Sequence, residues 1–197
     1  TNEGIHYKRG DTATVYDPNT NELINGAEIE DELDFDVDDF NRKIVDENID
    51  RVILREIAKE IDPEDPDEQG KTLIYAVDDA HADMIVRILK DIYSETGVDN
   101  DAIMKITGAA GGGSRRRLKE LIRRFKNEKY PSIAVTVDLL TTGIDVPKIT
   151  SLVFMRRVKS RILFEQMLGR ATRLCPEIQK THFEIYDAVG IYDTLEP

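Results

Sequence analysis

Apolar residues follow two alternating patterns over the last 130 or so residues of the chain. Short, nearly continuous apolar runs predict strands that are covered on both faces, at 72–77, 102–107, 132–137, 151–155 and 182–186. Between these runs, apolar residues three and four positions apart predict helices at 79–94, after Ser114, and at 160–173. The alternation predicts right-handed βαβ units and a doubly wound parallel sheet, an α/β fold. Ligands of such sheets bind at the carboxyl ends of the strands, so the loops that follow them form the expected functional edge.

The first 69 residues have a different pattern. The segments 13–16 and 22–24 flank Asp17-Pro18-Asn19-Thr20, which predicts a β-hairpin. Residues 36–61 predict a helix that begins at Asp36 as its N-cap, either continuous or broken near Asn48. Its apolar stripe comprises Phe40, Ile44, Ile49, Val52, Ile53 and Ile57. The acidic, proline-containing segment 62–68 ends this helix and predicts a linker. We therefore expect an N-terminal arm at 1–69 and a larger domain at 70–197.

The charge of the chain is unevenly distributed. The net charge is −12, yet residues 28–68 contain 18 acidic and 5 basic residues, so the remainder is about neutral at +1. That remainder contains two basic segments, 115–129 and 156–173. Phosphate binding needs a local positive surface rather than a positive total, so the overall acidity does not exclude nucleic acid.

Cysteine and histidine usage narrows the class of protein. The single Cys175 excludes an internal disulfide framework and suits a reducing cytoplasm, and no spacing of Cys or His predicts a metal site. No apolar run reaches the roughly 20 residues needed to span a bilayer. The polar N-terminus does not resemble a signal peptide. Because it lacks an initiating Met, we expect a piece of a longer protein.

Three short motifs imitate nucleotide-binding sequences. Gly70-Lys71-Thr72 resembles the end of a P-loop, but it precedes a strand, where a P-loop lysine opens a helix. Asp78-Asp79-Ala80-His81 resembles a Walker B box, but no P-loop lies upstream of it. The glycine-rich segment 108–113 lacks a dinucleotide-binding spacing, so a flexible loop is expected there. None of the three predicts a complete nucleotide site.

The segment 134–147, AVTVDLLTTGIDVP, carries better candidates for ligand binding. A buried strand leads into two hydroxyls, Thr141 and Thr142, that can meet a phosphodiester, and into Gly143, which permits close backbone approach. Asp145 can accept hydrogen bonds from a ribose or hold a catalytic arginine. The alternative is a capped loop whose carboxylates satisfy backbone amides.

The segment 160–173, SRILFEQMLGRATR, spaces Gln166, Gly169, Arg170 and Arg173 so that one helical face carries an amide and two guanidiniums. Guanidinium is permanently charged and its planar fork suits phosphate oxygens. This pattern predicts an arginine finger that stabilises charge on a transferring phosphoryl group. The alternative is a surface helix of solvated arginines.

Taken in order, these segments resemble motifs IV, IVa, V and VI of superfamily-2 helicases. The segments are TLIYAVDDAHADMIVRIL, ITG, VTVDLLTTGIDVP and FEQMLGRATRL. The resemblance is to the C-terminal, second RecA-like lobe of these motors. The wider segments LLTTGIDVPKI, GRATRLCPEI and FEIYDAVGIYDTLEP are similar to the motor subunit of type I restriction enzymes.

The resemblance implies roles for individual residues. Arg173 corresponds to the arginine finger and Arg170 to its neighbour on the γ-phosphate. Gln166, Gly143 and Asp145 would meet the nucleotide, ATP with Mg. The expected DNA-backbone contacts are Thr107, Thr141 and Thr142. The basic cluster 115–124 has no counterpart in the motifs and is only a candidate phosphate track.

The resemblance also implies what this chain needs from elsewhere. ATP in such motors lies between two lobes, and the first lobe is absent, so this chain should not hydrolyse ATP alone. The implied partners are duplex DNA, the first lobe and a nuclease domain of the same full-length chain, and methyltransferase and specificity subunits; no membrane is involved. The alternatives are a lobe of another superfamily-2 DNA or RNA helicase, or a non-catalytic RecA-like interaction module.

Overall fold

The protein is described by a computed structural model that covers residues 45–108, 112, 114–137, 145–158 and 160–191. It also gives the backbone of four short strands nearer the N-terminus. The chain forms two compact units, Thr1–Ile53 and Leu54–Pro197. The division expected at residues 69 and 70 stays a prediction.

The first unit contains short antiparallel strands. Strand β1 (Ile5–Tyr7) pairs with β4 (Leu33–Phe35), and β2 (Val15–Asp17) pairs with β3 (Glu22–Asn25). The pairing of β2 with β3 is the hairpin that the sequence predicts. Strand β2 also pairs with β5 (Val45–Asp46), so three strands lie in the order β3-β2-β5.

Helix α1 runs over Glu47–Ile57. The expected helix over 36–61 is therefore wrong at 45–46, which form a strand, and at 58–61, which lie beyond the helix; its part at 36–44 lies outside the described residues. Residues 45–46 are taken into strand pairing, and the Asp46 carboxylate then accepts hydrogen bonds from the Asn48 and Ile49 N–H groups, at 2.8 and 3.2 Å. Asp46 is therefore the N-cap. Burial raises the pKa of this carboxyl. The expected cap Asp36 and the stripe residues Phe40 and Ile44 lie outside the described residues.

The apolar stripe of α1 was also predicted with an error. Val52 is 62% exposed, whereas Leu54, which the prediction omitted, is fully buried. The buried face instead combines Asp50, Leu54 and Ile57, which lie four and three positions apart. Tertiary packing decides which face of this helix is buried, and the spacing of apolar residues alone did not reveal that face.

The second unit is built around a five-stranded parallel sheet, which confirms the predicted α/β fold. The strands are β6 (Lys71–Tyr75), β7 (Ile103–Lys105), β8 (Ile133–Thr136), β9 (Ile149–Phe154) and β10 (Glu184–Asp187). Their order is β10-β9-β6-β8-β7. Strand β6 is central because both of its neighbours bury it: Leu73 lies opposite Leu152 on one side and Ala134 on the other. All five residues of β6 are buried, as the continuous apolar run predicts.

Three helices follow strands of this sheet. Helix α2 (Asp79–Ser94) has the predicted bounds, and α3 (Arg115–Asn127) begins after Ser114. Helix α4 (Arg161–Leu168) is shorter than predicted. Phe125 of α3 is buried, while Leu118, Leu121 and Ile122 are half-buried on the same face. The apolar residues of α3 therefore lie on one face of the helix, as their helical spacing predicts.

The acidic segment before β6 is held by specific contacts within the second unit. The carbonyl of Pro63 accepts from the Ser132 hydroxyl at 2.7 Å. The carboxylate of Glu64 accepts from the Tyr130 hydroxyl and from the Asp99 N–H. Asp67 forms an ion pair with Lys148 at 2.8 Å. This segment therefore packs against the domain, although its charge and prolines predicted a linker.

Lys71 explains why Gly70-Lys71-Thr72 is not a phosphate loop. Its side chain is buried, and its ammonium donates to the carbonyls of Glu128 and Pro131 at 2.6 and 2.8 Å, with Lys129 at 3.3 Å. These carbonyls lie at the C-terminal end of α3 and just beyond it, where acceptors lack helical partners. Burial lowers the pKa of Lys71 to about 8. The amine is committed to these carbonyls rather than to a ligand.

Candidate functional site

Helix α4 carries Gln166, the first residue of the arginine motif, and is fixed to the sheet by aromatic packing. The Ser160 side chain accepts from the Leu163 N–H, which caps the helix. Phe164 packs on Phe154 of β9 with ring centroids 5.4 Å apart, and Phe154 stacks on Tyr75 of β6 at 5.2 Å. The inner face of α4 therefore packs firmly on the sheet, and Gln166 on its outer face is exposed.

The predicted single helical face of Gln166, Arg170 and Arg173 is wrong because the helix ends too early. Gly169 closes α4, and the N–H groups of Arg170 and Ala171 bond to the carbonyls three residues back. These tight turns take the chain out of α-helical geometry, so the i, i+4, i+7 spacing no longer aligns side chains. Arg173 lies in a bend beyond the turn, and Arg170 is half-buried in the turn.

The structure brings Arg173 and Asp145 together, although 27 residues separate them. Nη1 of Arg173 lies 2.9 Å from Oδ1 of Asp145. This is an ion pair and not an aligned hydrogen bond, since the buried Oδ1 atom has no hydrogen-bond partner within the described residues. The Arg173 side chain is 64% exposed, so the rest of the guanidinium faces outward. The pair thus joins one residue expected from motif V to one expected from motif VI.

Lys126 is a member of this cluster that the sequence did not single out. Its ammonium lies 3.4 Å from Oδ2 of Asp145, from the last turn of α3. Asp145 therefore has a cation at each oxygen, Arg173 at Oδ1 and Lys126 at Oδ2. Lys126 is only one lysine of a basic helix, and no spacing marks it, so only the tertiary structure could reveal this contact.

Three expected site residues lie outside the described residues: Thr141, Thr142 and Gly143. The described chain ends before them at Val137 and resumes at Asp145. Arg156, just after β9, donates to the Val137 carbonyl at 3.1 Å. A residue of the second basic segment therefore holds the start of the motif V loop, a role that the sequence did not indicate.

Thr107, the expected DNA contact after β7, is part of a polar network at the carboxyl edge of the sheet. It is buried, and its hydroxyl donates to Oδ1 of Asp79. Lys105 donates to Asp79 at 2.8 Å and to Asp83 at 2.7 Å. Burial raises the pKa of Asp79, but the bonds from Lys105 and Thr107 outweigh it and hold the pKa below its usual 3.8. The network joins the start of α2 to the end of β7.

The sequence Asp78-Asp79-Ala80-His81, which resembles a Walker B box, forms the capped start of helix α2. Oδ1 of Asp78 accepts from the His81 N–H at 2.8 Å, and Nδ1 of the fully buried His81 accepts from the Val77 N–H at 3.1 Å. The first bond caps the N-terminus of α2, and the second holds the residue before the cap. The Asp78 carboxylate is thus used within the helix.

The basic cluster on α3 is divided by its pairing. Arg123 pairs with Glu120 and Glu128, at 2.6 and 3.2 Å, and Arg124 pairs with Glu128 at 3.2 Å. The side chains at the start of the helix, Arg115, Arg116 and Arg117, are exposed. A positive surface is therefore concentrated in the first turn of α3.

Within the described residues, no group of three His, Cys, Asp or Glu could hold a metal ion, and no helix is long and apolar enough to cross a membrane.

The fold and the ordered motifs define a class of protein. Residues 51–175 match the family described as the helicase conserved C-terminal domain, and the chain belongs to that family. The match includes β6 to β9 and all of the arginine segment, so the lobe assignment from the motifs is confirmed. The chain is a superfamily-2 helicase C-terminal lobe.

Similar proteins narrow the class further. The chain is 46% identical over 196 residues to the type I restriction enzyme EcoKI endonuclease subunit of Escherichia coli K12, covering 98% of this chain and 16% of that subunit. A fragment of a putative HsdR subunit of a type I restriction enzyme from Vibrio vulnificus YJ016 matches with a TM-score of 0.62 and 28% identity. That match covers 77% of this chain and 29% of the fragment. This confirms the resemblance to restriction-enzyme motor subunits.

A more distant match bears on the fold alone. Domain 2 of the DEAD-box helicase Mss116p has a TM-score of 0.54 at 19% identity, covering 72% of this chain and 50% of that one. The RecA-like architecture is therefore shared with this helicase domain. The chain spans less than a fifth of the EcoKI subunit, so most of such a subunit lies outside it.

Proposed function

We propose that this chain is the second motor lobe of an ATP-dependent duplex-DNA translocase in a type I restriction endonuclease. The observation that carries the proposal is the ion pair of Arg173 with Asp145, which unites two motif residues within a helicase C-terminal lobe. The 46% identity to the EcoKI endonuclease subunit supports the choice of a restriction motor over other superfamily-2 enzymes.

Arg173 acts as the arginine finger and Arg170 supports it on the γ-phosphate. The site fits a nucleotide, because the Arg173 side chain is largely exposed and its contact with Asp145 is made through Nη1. The rest of the guanidinium remains accessible to a phosphate. Asp145 aims the guanidinium and limits its rotamers before the partner lobe arrives. ATP with Mg supplies the phosphoryl group whose developing charge the arginine stabilises.

The remaining predicted residues surround this pair. Gln166 is exposed on the outer face of α4, where it can contact the nucleotide or the first lobe. Gly143 precedes Asp145 by two residues and would bring backbone close to the nucleotide. Thr141 and Thr142 would contact the DNA backbone, and Thr107 would do so from the neighbouring loop, where its hydroxyl already bonds to Asp79.

The partners follow from the relationship with restriction-enzyme subunits. The first RecA-like lobe and a nuclease domain would belong to the same full-length chain, and methyltransferase and specificity subunits would complete the enzyme in the cytoplasm. The exposed first turn of α3 is a candidate phosphate track along duplex DNA.

The decisive experiment replaces Arg173 in the full-length subunit. We expect Arg173→Ala to lower kcat for ATP by about a thousandfold or more, the range for loss of an arginine finger. KM for ATP should change little, since the lost interaction belongs to the transition state. The measurement is steady-state ATPase activity with saturating duplex DNA.

Arg161→Ala is the matched control. Arg161 lies on α4, is 69% exposed, and pairs only locally with Glu165 at 3.2 Å. Its removal should leave kcat within about twofold, because exposed i, i+4 pairs contribute little. Turnover of Arg173→Ala that equals the control would refute the finger. Stimulation by RNA rather than duplex DNA would instead favour another superfamily-2 helicase.

A further inference from the structure

Lys180 is a buried lysine whose ammonium joins two separate segments of the site. Its side chain is 8% exposed, and Nζ donates to the carbonyl of Ala171 at 2.7 Å and to that of Pro147 at 3.1 Å. Buried charges are costly unless hydrogen bonds compensate them. The two carbonyls supply that compensation, and burial lowers the pKa of Lys180.

A tight turn delivers Lys180 to this position. Residues Pro176–Ile178 form a short 3-10 helix, and Gln179 adopts a left-handed conformation with φ 51°. The Lys180 N–H then bonds back to the Cys175 carbonyl at 3.0 Å, which closes an antiparallel bridge. The turn therefore fixes the backbone of Lys180, and the two carbonyl bonds then hold its ammonium.

The two acceptors stand next to the two halves of the Arg173–Asp145 pair. Ala171 precedes Arg173 by two residues, and Pro147 follows Asp145 by two residues. A single ammonium thus holds both stretches of backbone by their carbonyls. Arg173 and Lys180 also line one cavity of about 350 Å³, so the two cations lie on the same recess of the lobe.

We propose that Lys180 is a positioning residue that sets the distance between the Arg173 segment and the Asp145 segment. It touches neither nucleotide nor DNA and acts through the ion pair. The inference rests on the proposed function of Arg173. Without the ammonium, the two backbone segments lose the shared hydrogen-bond donor that fixes the distance between them. A displacement of about 1 Å of a charge-stabilising group lowers turnover far more than it lowers stability.

The test compares Lys180→Met with Lys71→Met in the full-length subunit. Lys71 is a matched control because it is also buried and also donates to backbone carbonyls, but its acceptors belong to neither of the two segments. Both variants should lower the melting temperature. We expect only Lys180→Met to lower kcat for ATP, by about tenfold to a hundredfold, with KM for ATP within about twofold.

A conservative variant separates positioning from packing. A guanidinium keeps the positive charge and offers several N–H donors, so Lys180→Arg should retain both carbonyl bonds and restore kcat to within about threefold of the wild type. If Lys180→Met does not fold, Lys180→Gln replaces it in the same comparison. Equal kcat for the Lys180 and Lys71 variants, or failure of arginine to restore turnover, would overturn the inference.

Arg173→Ala in the same series keeps the two proposals distinguishable. Loss of turnover in Arg173→Ala together with normal kcat in Lys180→Met overturns the positioning role alone. Normal turnover in Arg173→Ala overturns the arginine finger, and the positioning role falls with it. Loss in both, with the Lys71 variant active, supports both.

Discussion

Gly70 sets how the chain enters the central strand β6. Its φ is +83°, a left-handed conformation, and an added Cβ would lie 2.4 Å from the Thr150 side chain and 2.7 Å from the Lys148 carbonyl. Gly97 has a similar φ of +79°, but an added Cβ there would meet nothing within 4 Å. The two glycines therefore share the backbone requirement and differ in steric crowding.

This difference predicts two unequal alanine substitutions. Gly97→Ala should cost about 1 kcal/mol of unfolding free energy, the strain of a left-handed residue. Gly70→Ala should cost roughly 2 kcal/mol more, because backbone or side chain at the start of β9 must move to admit the methyl group. Urea-induced unfolding of the 197-residue chain measures both. Equal losses would mean that the crowding at Gly70 relaxes without cost.

At the scale of elements, the start of α2 and the end of β7 are joined through Asp79. Its carboxylate accepts from Lys105 and Thr107, and it also lies in the first turn of α2, where the helix dipole favours an anion. These bonds hold the pKa of Asp79 below 3.8 in the folded chain. Folding therefore favours the ionised carboxylate.

The linkage gives a prediction for acid conditions. A carboxyl whose pKa is lower in the folded state contributes stability above its unfolded pKa, and this contribution is lost as the pH falls through the folded value. The unfolding free energy of the wild type should therefore exceed that of Asp79→Asn by a constant amount from about pH 6 to pH 8. The difference should shrink below pH 3.8. Denaturation at a series of pH values measures it, and a difference independent of pH would contradict an ionic role.

At the scale of the whole molecule, Arg173 faces outward, and the described part of the lobe shows no complete phosphate site. Lys71 is committed to carbonyls and Asp78 to a helix cap, so both nucleotide-like motifs serve the fold. The guanidinium of Arg173 is the group that faces outward. We propose that this surface meets the first lobe across a bound nucleotide.

A direct consequence concerns the chain alone. We expect the 197-residue chain to show no ATP turnover above background, with or without duplex DNA, because under the proposed function the phosphate-binding groups belong to a first lobe outside residues 1–197. Cooperative thermal unfolding of the same sample serves as the control that the chain is folded. Clear turnover that Lys71→Met or Asp78→Asn abolished would show that one of these motifs belongs to a working site, and the half-motor proposal would be withdrawn.

The sequence by itself determined the architecture of the second unit. Five apolar runs predicted all five strands to within a few residues, and α2 was predicted with its observed bounds. Such segments can be predicted locally, because a strand buried on both faces of a parallel sheet needs a continuous apolar run whatever surrounds it. The motifs were equally local, so their order along the chain was enough to indicate the family that the comparison confirms.

Only the tertiary structure decided where elements end and which distant side chains meet. Helix α1 starts late because β5 pairs with β2, and α4 stops at Leu168 although the residue spacing continues. The pair of Arg173 with Asp145, and the lysine that ties their segments, join residues that no local pattern links. Such contacts depend on how loops fold back across the sheet, and a one-dimensional pattern does not encode that geometry.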